Sequence, residues 1–274
     1  MLVTRKTVVV DGLSTSYLEA GDPLAPAVLL LHGGEFGAGA EICWERTIPA
    51  LAAGHRVLAP DLLGFGESAK VIDFNDGRGM RIRHVARFCA ALGVTSADFV
   101  GNSMGAIMLL VDSTAEAPQL PVRRLVAICG GGDIQQNEHM AALYDYDATL
   151  PAMRRIVAAL FHDPAYRADD DYVGRRYASS IAPGAWEAIA AARFRRPGAD
   201  AAPPASSARA YERISVPTLV IEGGCDKLLP PGWASRIADQ IPGGRAVVVD
   251  EAGHCPQIEQ ADQVNELLLE FCAG

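Results

Sequence analysis

The chain has 274 residues, half of them apolar, and its 27 glycines and 17 prolines are spread along its length, so it reads as globular rather than disordered. A formal charge of -9 disfavours nucleic acid as a partner but still permits an anionic small molecule held by one local arginine. No signal-peptide core and no run of about 18 apolar residues is present, and the six cysteines (Cys43, Cys89, Cys129, Cys225, Cys255, Cys272) lack CxxC or zinc-type spacing; the expectation is a cytoplasmic protein with reduced thiols, no membrane association and no metal.

Lys6 to Val10 and Ser14 to Glu19 flank the turn dipeptide Asp11-Gly12 and predict an opening antiparallel hairpin. Short apolar runs follow at Ala27 to Leu31, Arg56 to Ala59, Asp98 to Gly101, Leu125 to Ile128, Thr218 to Ile221 and Ala246 to Val249. Such runs are what strands buried on both faces of a parallel sheet look like. Helical spacing over Gly77 to Leu92, Met104 to Ala117, Pro231 to Gln240 and Gln257 to Phe271 supplies the connections. The alternation stops between about Gly132 and Arg209, where helical segments around Glu138 to Leu160 and Pro183 to Phe194 precede an Ala/Pro/Ser-rich run, Pro197 to Ala208. The fold class is therefore α/β: a mostly parallel, eight-stranded sheet from residues 1–131 and 210–274, with a helical lid inserted over residues 132–209.

Ser103 stands in Gly101-Asn102-Ser103-Met104-Gly105, directly after an apolar strand and before an apolar helix. This is the Gly-x-Ser-x-Gly pattern in its strand-turn-helix context, where a tight turn excludes side chains at the flanking positions and the helix N-terminus brings backbone N–H groups close to the hydroxyl. A serine hydroxyl needs a base to take its proton, and the base needs a carboxylate to hold its tautomer. Two later strands end in Glu222-Gly223-Gly224-Cys225-Asp226 and Glu251-Ala252-Gly253-His254, which supplies Asp226 and His254 in the order Ser, acid, His. His32-Gly33-Gly34 follows the first parallel strand, so the N–H of Gly34, paired with that of Met104, is a candidate oxyanion hole. Gly33 and Asn102 beside these groups, and Phe161 and Trp186 in the lid, are candidate substrate-binding residues; lid aromatics serve packing or recognition, and the sequence leaves both open. Asp61 to Ser68 reads as a tight structural loop, and the absence of GxGxxG and HExxH argues for chemistry without a cofactor.

His32-Gly33-Gly34, Asp61 through Ser68, Gly101 through Gly105, Gly223 through Asp226 and Gly253-His254 together resemble the α/β-hydrolase superfamily over nearly the whole chain outside the lid. Within it, the serine motif and His32-Gly33-Gly34 followed by Gly37-Ala38-Gly39 are most similar to the meta-cleavage-product hydrolases. The resemblance implies hydrolysis of a carbon-carbon bond in a vinylogous 1,5-diketone derived from a ring-opened aromatic. It further implies that Arg176, in Arg176-Tyr177-Ala178, grips a substrate carboxylate; the same guanidinium, beside Arg175, Arg193, Arg195 and Arg196, can equally be solvated or ion-paired. Cys255 stands where these enzymes usually carry a tryptophan and Cys43 where they commonly carry an asparagine, which keeps carboxylesterase, thioesterase and amide hydrolase activity open, with a ligand receptor on the same scaffold as a further class. Ser103 argues against the dehalogenases and epoxide hydrolases of this fold, which use aspartate. The partner expected is a small, carboxylated molecule, and a homodimer through an apolar lid face is compatible with the sequence.

Overall fold

In the computed structural model, which describes residues 2–191 and 209–273, Asp11 and Gly12 both take positive φ (49° and 79°). This is the backbone that a two-residue turn needs if its twist is to match the flanking strands, and β1 (Thr4–Val10) folds back on β2 (Leu13–Ala20) with Val10 opposite Leu13. The chain continues through β3 (Ala27–Leu31), the short helices α1 (Ala40–Trp44) and α2 (Ile48–Leu51), β4 (Arg56–Pro60), α3 (Gly77–Ala91), β5 (Ala97–Asn102), α4 (Met104–Ser113) and β6 (Val122–Ile128). Five helices follow: α5 (Glu138–Tyr144), α6 (Leu150–Leu160), α7 (Pro164–Ala168), α8 (Asp170–Ser180) and α9 (Ala185–Ala190). After Arg209 come β7 (Thr218–Gly223), α10 (Trp233–Ala238), β8 (Arg245–Val249), α11 (Pro256–Glu259) and α12 (Ala261–Ala273). Phe194, Arg193, Arg195, Arg196 and the Pro197 to Ala208 run lie outside the described residues.

The eight strands form one sheet in the order β1-β2-β4-β3-β5-β6-β7-β8; β1 to β2 and β2 to β4 are antiparallel and the other pairings parallel. The chain leaves β3 toward β4 on one side and leaves β5 toward β6 on the other. The loops at the carboxyl ends of these two neighbours therefore diverge, opening the crevice where open α/β sheets bind ligands.

Strand residues alternate between the two faces: Leu29, Leu31, Phe99, Leu125 and Ala127 pack under α3 and α4, while Val28, Leu30, Val100, Val126 and Ile128 pack against α1, α2 and α12. Each such side chain contributes about 1.5–3 kcal/mol by leaving water, which is why near-continuous apolar runs suffice to specify this sheet. A third apolar cluster belongs to α5–α9, built on Met153, Ile156, Val157, Leu160 and Val173, and it docks onto the sheet edge through Phe36, Leu228 and Cys255.

Three details differ from the sequence expectation. The Glu138 to Leu160 segment is two helices, because Ala148 takes positive φ (61°) and Thr149 then caps α6 by accepting from Ala152 N–H. Gln257 to Phe271 is also divided, since Gln260 (φ −116°, ψ 49°) leaves the helical region between α11 and α12. Helix α8 was not foreseen: its mean character is polar, and its start is set by Asp169, whose side chain accepts from Asp171 and Tyr172 N–H.

Candidate active site

Ser103 sits between β5 and α4 with φ 51° and ψ −112°, a strained conformation for a residue with a Cβ. The turn is possible because its flanks are glycines: a Cβ on Gly101 would lie 2.4 Å from the Gly105 carbonyl carbon, and one on Gly105 would lie 2.2 Å from the Leu31 oxygen. The Ser103 N–H donates to the Ile128 carbonyl (2.8 Å), pinning the turn to the end of β6. Ser103 Oγ is 2.9 Å from His254 Nε2, and His254 Nδ1 is 2.8 Å from Asp226 Oδ2. With Nδ1–H donating to the Asp226 carboxylate, Nε2 is left as acceptor for the serine hydroxyl proton.

The surroundings hold this line of groups rigidly. Asp226 Oδ1 accepts from Leu228 N–H (2.8 Å), His254 N–H donates to Leu160 O (2.7 Å), and Asn102 Nδ2 donates to the His254 carbonyl (3.1 Å). Burial works against charge on both partners of the pair. Even so, each partner's charge and the shared hydrogen bond keep the Asp226 carboxyl below its ordinary range and lift His254 above the ordinary histidine value of 6.5, with Glu35 adding to the latter.

Behind the serine, His32 is fully buried; Leu62 N–H donates to its Nε2 (3.0 Å), so its Nδ1–H donates to Gly33 O (2.7 Å), and burial lowers its pKa. It therefore serves as a neutral brace for the loop after β3. Asp61 closes the neighbouring loop by accepting from Ala40 and Glu67 N–H and pairing with Arg5. Met104 is the first residue of α4, where a helix leaves backbone N–H groups without an intrahelical acceptor, and Gly34 packs directly against it.

Ser103, His254, Gly34 and Met104 share a cavity of about 290 Å³ roofed by Met140, Leu143, Tyr144 and Leu160 from the inserted helices. Its described lining includes no lysine or arginine; Glu35 is its one carboxylate. Gly33, Asn102, Arg176, Phe161 and Trp186, expected at the substrate, are absent from that lining, and the structure gives each another setting. The Gly33 carbonyl is held by His32, and Asn102 is buried beneath the triad as a brace. Phe161 stacks on Tyr166 (4.4 Å between ring centroids) inside the lid core, and the indole of Trp186 donates to Tyr146 O. Arg176 is 1% exposed, and its guanidinium donates to Glu35 Oε1 (2.9 Å) and to the Tyr172 hydroxyl (3.0 Å). The ion-paired reading of Arg176 is the one its surroundings support.

Two carboxylates that sequence reasoning passed over matter here. Glu259 accepts from the N–H groups of His162 (2.7 Å), Asp163 (2.8 Å) and Gly253 (2.6 Å), tying the loop that carries His254 to the lid. Glu35, immediately after Gly34, carries a side chain only 5% exposed. No spacing rule reveals either, although an acidic residue directly following the His-Gly-Gly loop was a visible signal. Among the described residues, Cys129, Asp226 and His254 present ligand atoms within 4.8 Å of one another, but His254 and Asp226 already use theirs on each other and on Ser103. Cys43 and Cys255 are buried thiols, the former pushed up to about 12 by burial, and so are poor nucleophiles.

A hydroxyl on a strained strand-to-helix turn, an imidazole in reach of it and a buried carboxylate behind, all at the carboxyl edge of a parallel sheet, define a serine hydrolase. The chain belongs to the alpha/beta hydrolase family, which residues 28–267 match. It is 32% identical over 265 residues to the 2-hydroxy-6-oxo-6-(2'-aminophenyl)hexa-2,4-dienoic acid hydrolase of Metapseudomonas resinovorans, covering 95% of this chain and 88% of that protein. It is likewise 32% identical to the 2-hydroxymuconate semialdehyde hydrolase of Pseudomonas sp. strain CF600, over 98% of this chain and 93% of the relative. The solved meta-cleavage product hydrolase of Pseudomonas fluorescens IP01 superposes with a TM-score of 0.85 at 27% identity, covering 98% of this chain and 97% of that one. The similarity to meta-cleavage-product hydrolases read from the sequence is thereby borne out. Among the described residues no helix is long and apolar enough to cross a membrane.

Proposed function

We propose that this chain hydrolyses the carbon-carbon bond next to a carbonyl in a ring-opened aromatic compound, with Ser103 as nucleophile, His254 as base and then acid, and Asp226 holding the imidazole. The observation that carries the reading is the continuous line Asp226, His254, Ser103 opening into a mostly apolar cavity roofed by the inserted helices. It is supported by relatives of nearly full length that are hydrolases of 2-hydroxy-6-oxo-dienoates and of 2-hydroxymuconate semialdehyde.

Ser103 Oγ gives its proton to His254 Nε2 and adds to the carbonyl carbon; the N–H groups of Gly34 and Met104 receive the negative oxygen. With the distal enol of the substrate in its keto form, the carbon-carbon bond can break heterolytically. Its electron pair then passes into the conjugated ketone, and the carbanion takes the proton from His254. Water, deprotonated by His254, attacks the acyl-serine, releasing a carboxylic acid and restoring Ser103. Asp226 stabilises the imidazolium that forms in each half-reaction.

Ester hydrolysis by the same groups is the second reading, favoured by the lack of a basic side chain among the described lining residues. A paired assay of wild type and Ser103→Ala on a ring-opened dienone and on p-nitrophenyl esters separates the two. Expected is preference for the dienone and a loss of at least about 10³-fold in kcat on removing the hydroxyl, with the melting curve unchanged. Dienone cleavage that survives Ser103→Ala would remove the nucleophile from the scheme, and preference for the esters would make this an esterase.

A further inference from the structure

Glu35 lies in the same cavity wall as the serine nucleophile. It lines the cavity that holds Ser103 and His254, yet its side chain is almost wholly withdrawn from water. Room for it exists because position 33, two residues earlier, is glycine: a Cβ there would lie 2.3 Å from Glu35 Oε2. The carboxylate stays ionised. Burial pushes its pKa up, but the adjacent Arg176 charge and hydrogen bond outweigh this and hold it below the ordinary glutamate range. Arg176, 141 positions away on α8, is correspondingly engaged by Glu35 and Tyr172. Arg176 is not part of the cavity lining, whereas Glu35 is, so the acidic member of the pair is the one at the cavity wall.

We propose that Glu35 sets the charge selectivity of this site: by neutralising Arg176 from within the protein and presenting its own carboxylate to the cavity, it favours carbonyl substrates that are uncharged at the end lying against the loop after β3. An entering carboxylate there meets a fixed like charge, and it has to displace Glu35 to reach Arg176. A ketone, aldehyde, amide or ester at the same position meets neither obstacle. The inference rests on the reading that Ser103 attacks a substrate carbonyl in this cavity, and it holds for whichever bond is cleaved.

The test is a ratio of kcat/KM values for substrates matched in shape and differing in charge. One pair is 4-nitrophenyl hydrogen glutarate against 4-nitrophenyl methyl glutarate; the other is a ring-opened dienone carboxylate against its primary amide. Wild type should prefer the neutral member by at least tenfold in whichever pair it turns over. Glu35→Gln should raise the charged-to-neutral ratio at least tenfold, since it removes the like charge and frees Arg176. If that variant fails to fold, Glu35→Gln combined with Arg176→Met removes both buried charges and should still raise the ratio at least threefold. A ratio unchanged in a folded variant, or a wild-type preference for the carboxylate, overturns the proposal. Loss of dienone cleavage in every variant while the glutarate ratios shift as expected would refute carbon-carbon hydrolysis and leave the role of Glu35 standing.

Discussion

The floor and the side wall of the cavity are built in opposite ways. On the floor, Ser103, Asp226 and His254 are each delivered by the end of a neighbouring strand or the loop just after it, and the backbone of the sheet fixes their separation. On the wall, Glu35 from the loop after β3 meets Arg176 and Tyr172 from the inserted helix α8, and what joins them is side-chain contact between segments far apart in the chain. Reactive groups are thus placed by local geometry repeated across a sheet, and the groups around the substrate by packing between a core and an insertion. The first arrangement meets the lid only where the His254 loop is tied to Leu160 and, through Glu259, to His162 and Asp163; the second is built on the lid itself.

The sharpest break in this comparison comes from the floor. Asp226→Asn should lower kcat by about 10⁴-fold with little change in fold, because the imidazole loses both its tautomer and its counter-charge. Base catalysis needs neutral His254, so kcat/KM should rise with pH through a limb above the ordinary 6.5, and Asp226→Asn should move that limb down. Stability runs the other way. A histidine raised on folding contributes fully below its unfolded pKa and loses that contribution as pH rises through the folded value, while the depressed Asp226 carboxyl contributes above its ordinary pKa and loses its share as pH falls through the lowered one. Paired pH titrations of rate and of urea midpoint should therefore diverge across the His254 transition; parallel curves would mean that His254 is not the group being titrated.

On the wall, stability should respond before chemistry does. Arg176→Met leaves Glu35 buried without its counter-charge and should cost about 3–5 kcal/mol in urea unfolding, while adding Glu35→Gln to it should recover most of the loss. Equal losses in the single and double variants would show that the guanidinium stem, not the charge pair, holds the lid down. The smallest effect is expected one residue away: Arg175 reaches Glu45 on the core with two hydrogen bonds of 2.8 and 3.0 Å, but both side chains are more than a third exposed. Arg175→Ala should cost about 0.2–1 kcal/mol, shrinking as salt is added.

What could be read in advance follows the same division. The turn at Asp11-Gly12, all eight strands and the serine turn were legible because each is specified within a few residues, by apolar runs buried on two faces or by glycines where no Cβ fits. Ser103, Asp226 and His254 were legible too, since strand order converts their positions in the chain into positions in space. The five substrate-binding candidates rested on adjacency in the chain (Gly33, Asn102), on the family resemblance (Arg176) or on aromatic character in the lid (Phe161, Trp186), and the cavity lining contains none of them. Helix α8 escaped notice because a polar helix capped by Asp169 has little apolar period to detect.

By itself, then, the amino-acid sequence determined the strands of the sheet and the three groups aligned for acyl chemistry, while the order of the strands across the sheet came from the fold. Only the tertiary structure decided that Asn102 braces the histidine loop, that Glu259 ties it to the lid, and that Arg176 is spent on Glu35. The physical reason is that a buried charge is defined by its partner, and partners 141 residues apart meet only after the insertion has docked on the sheet.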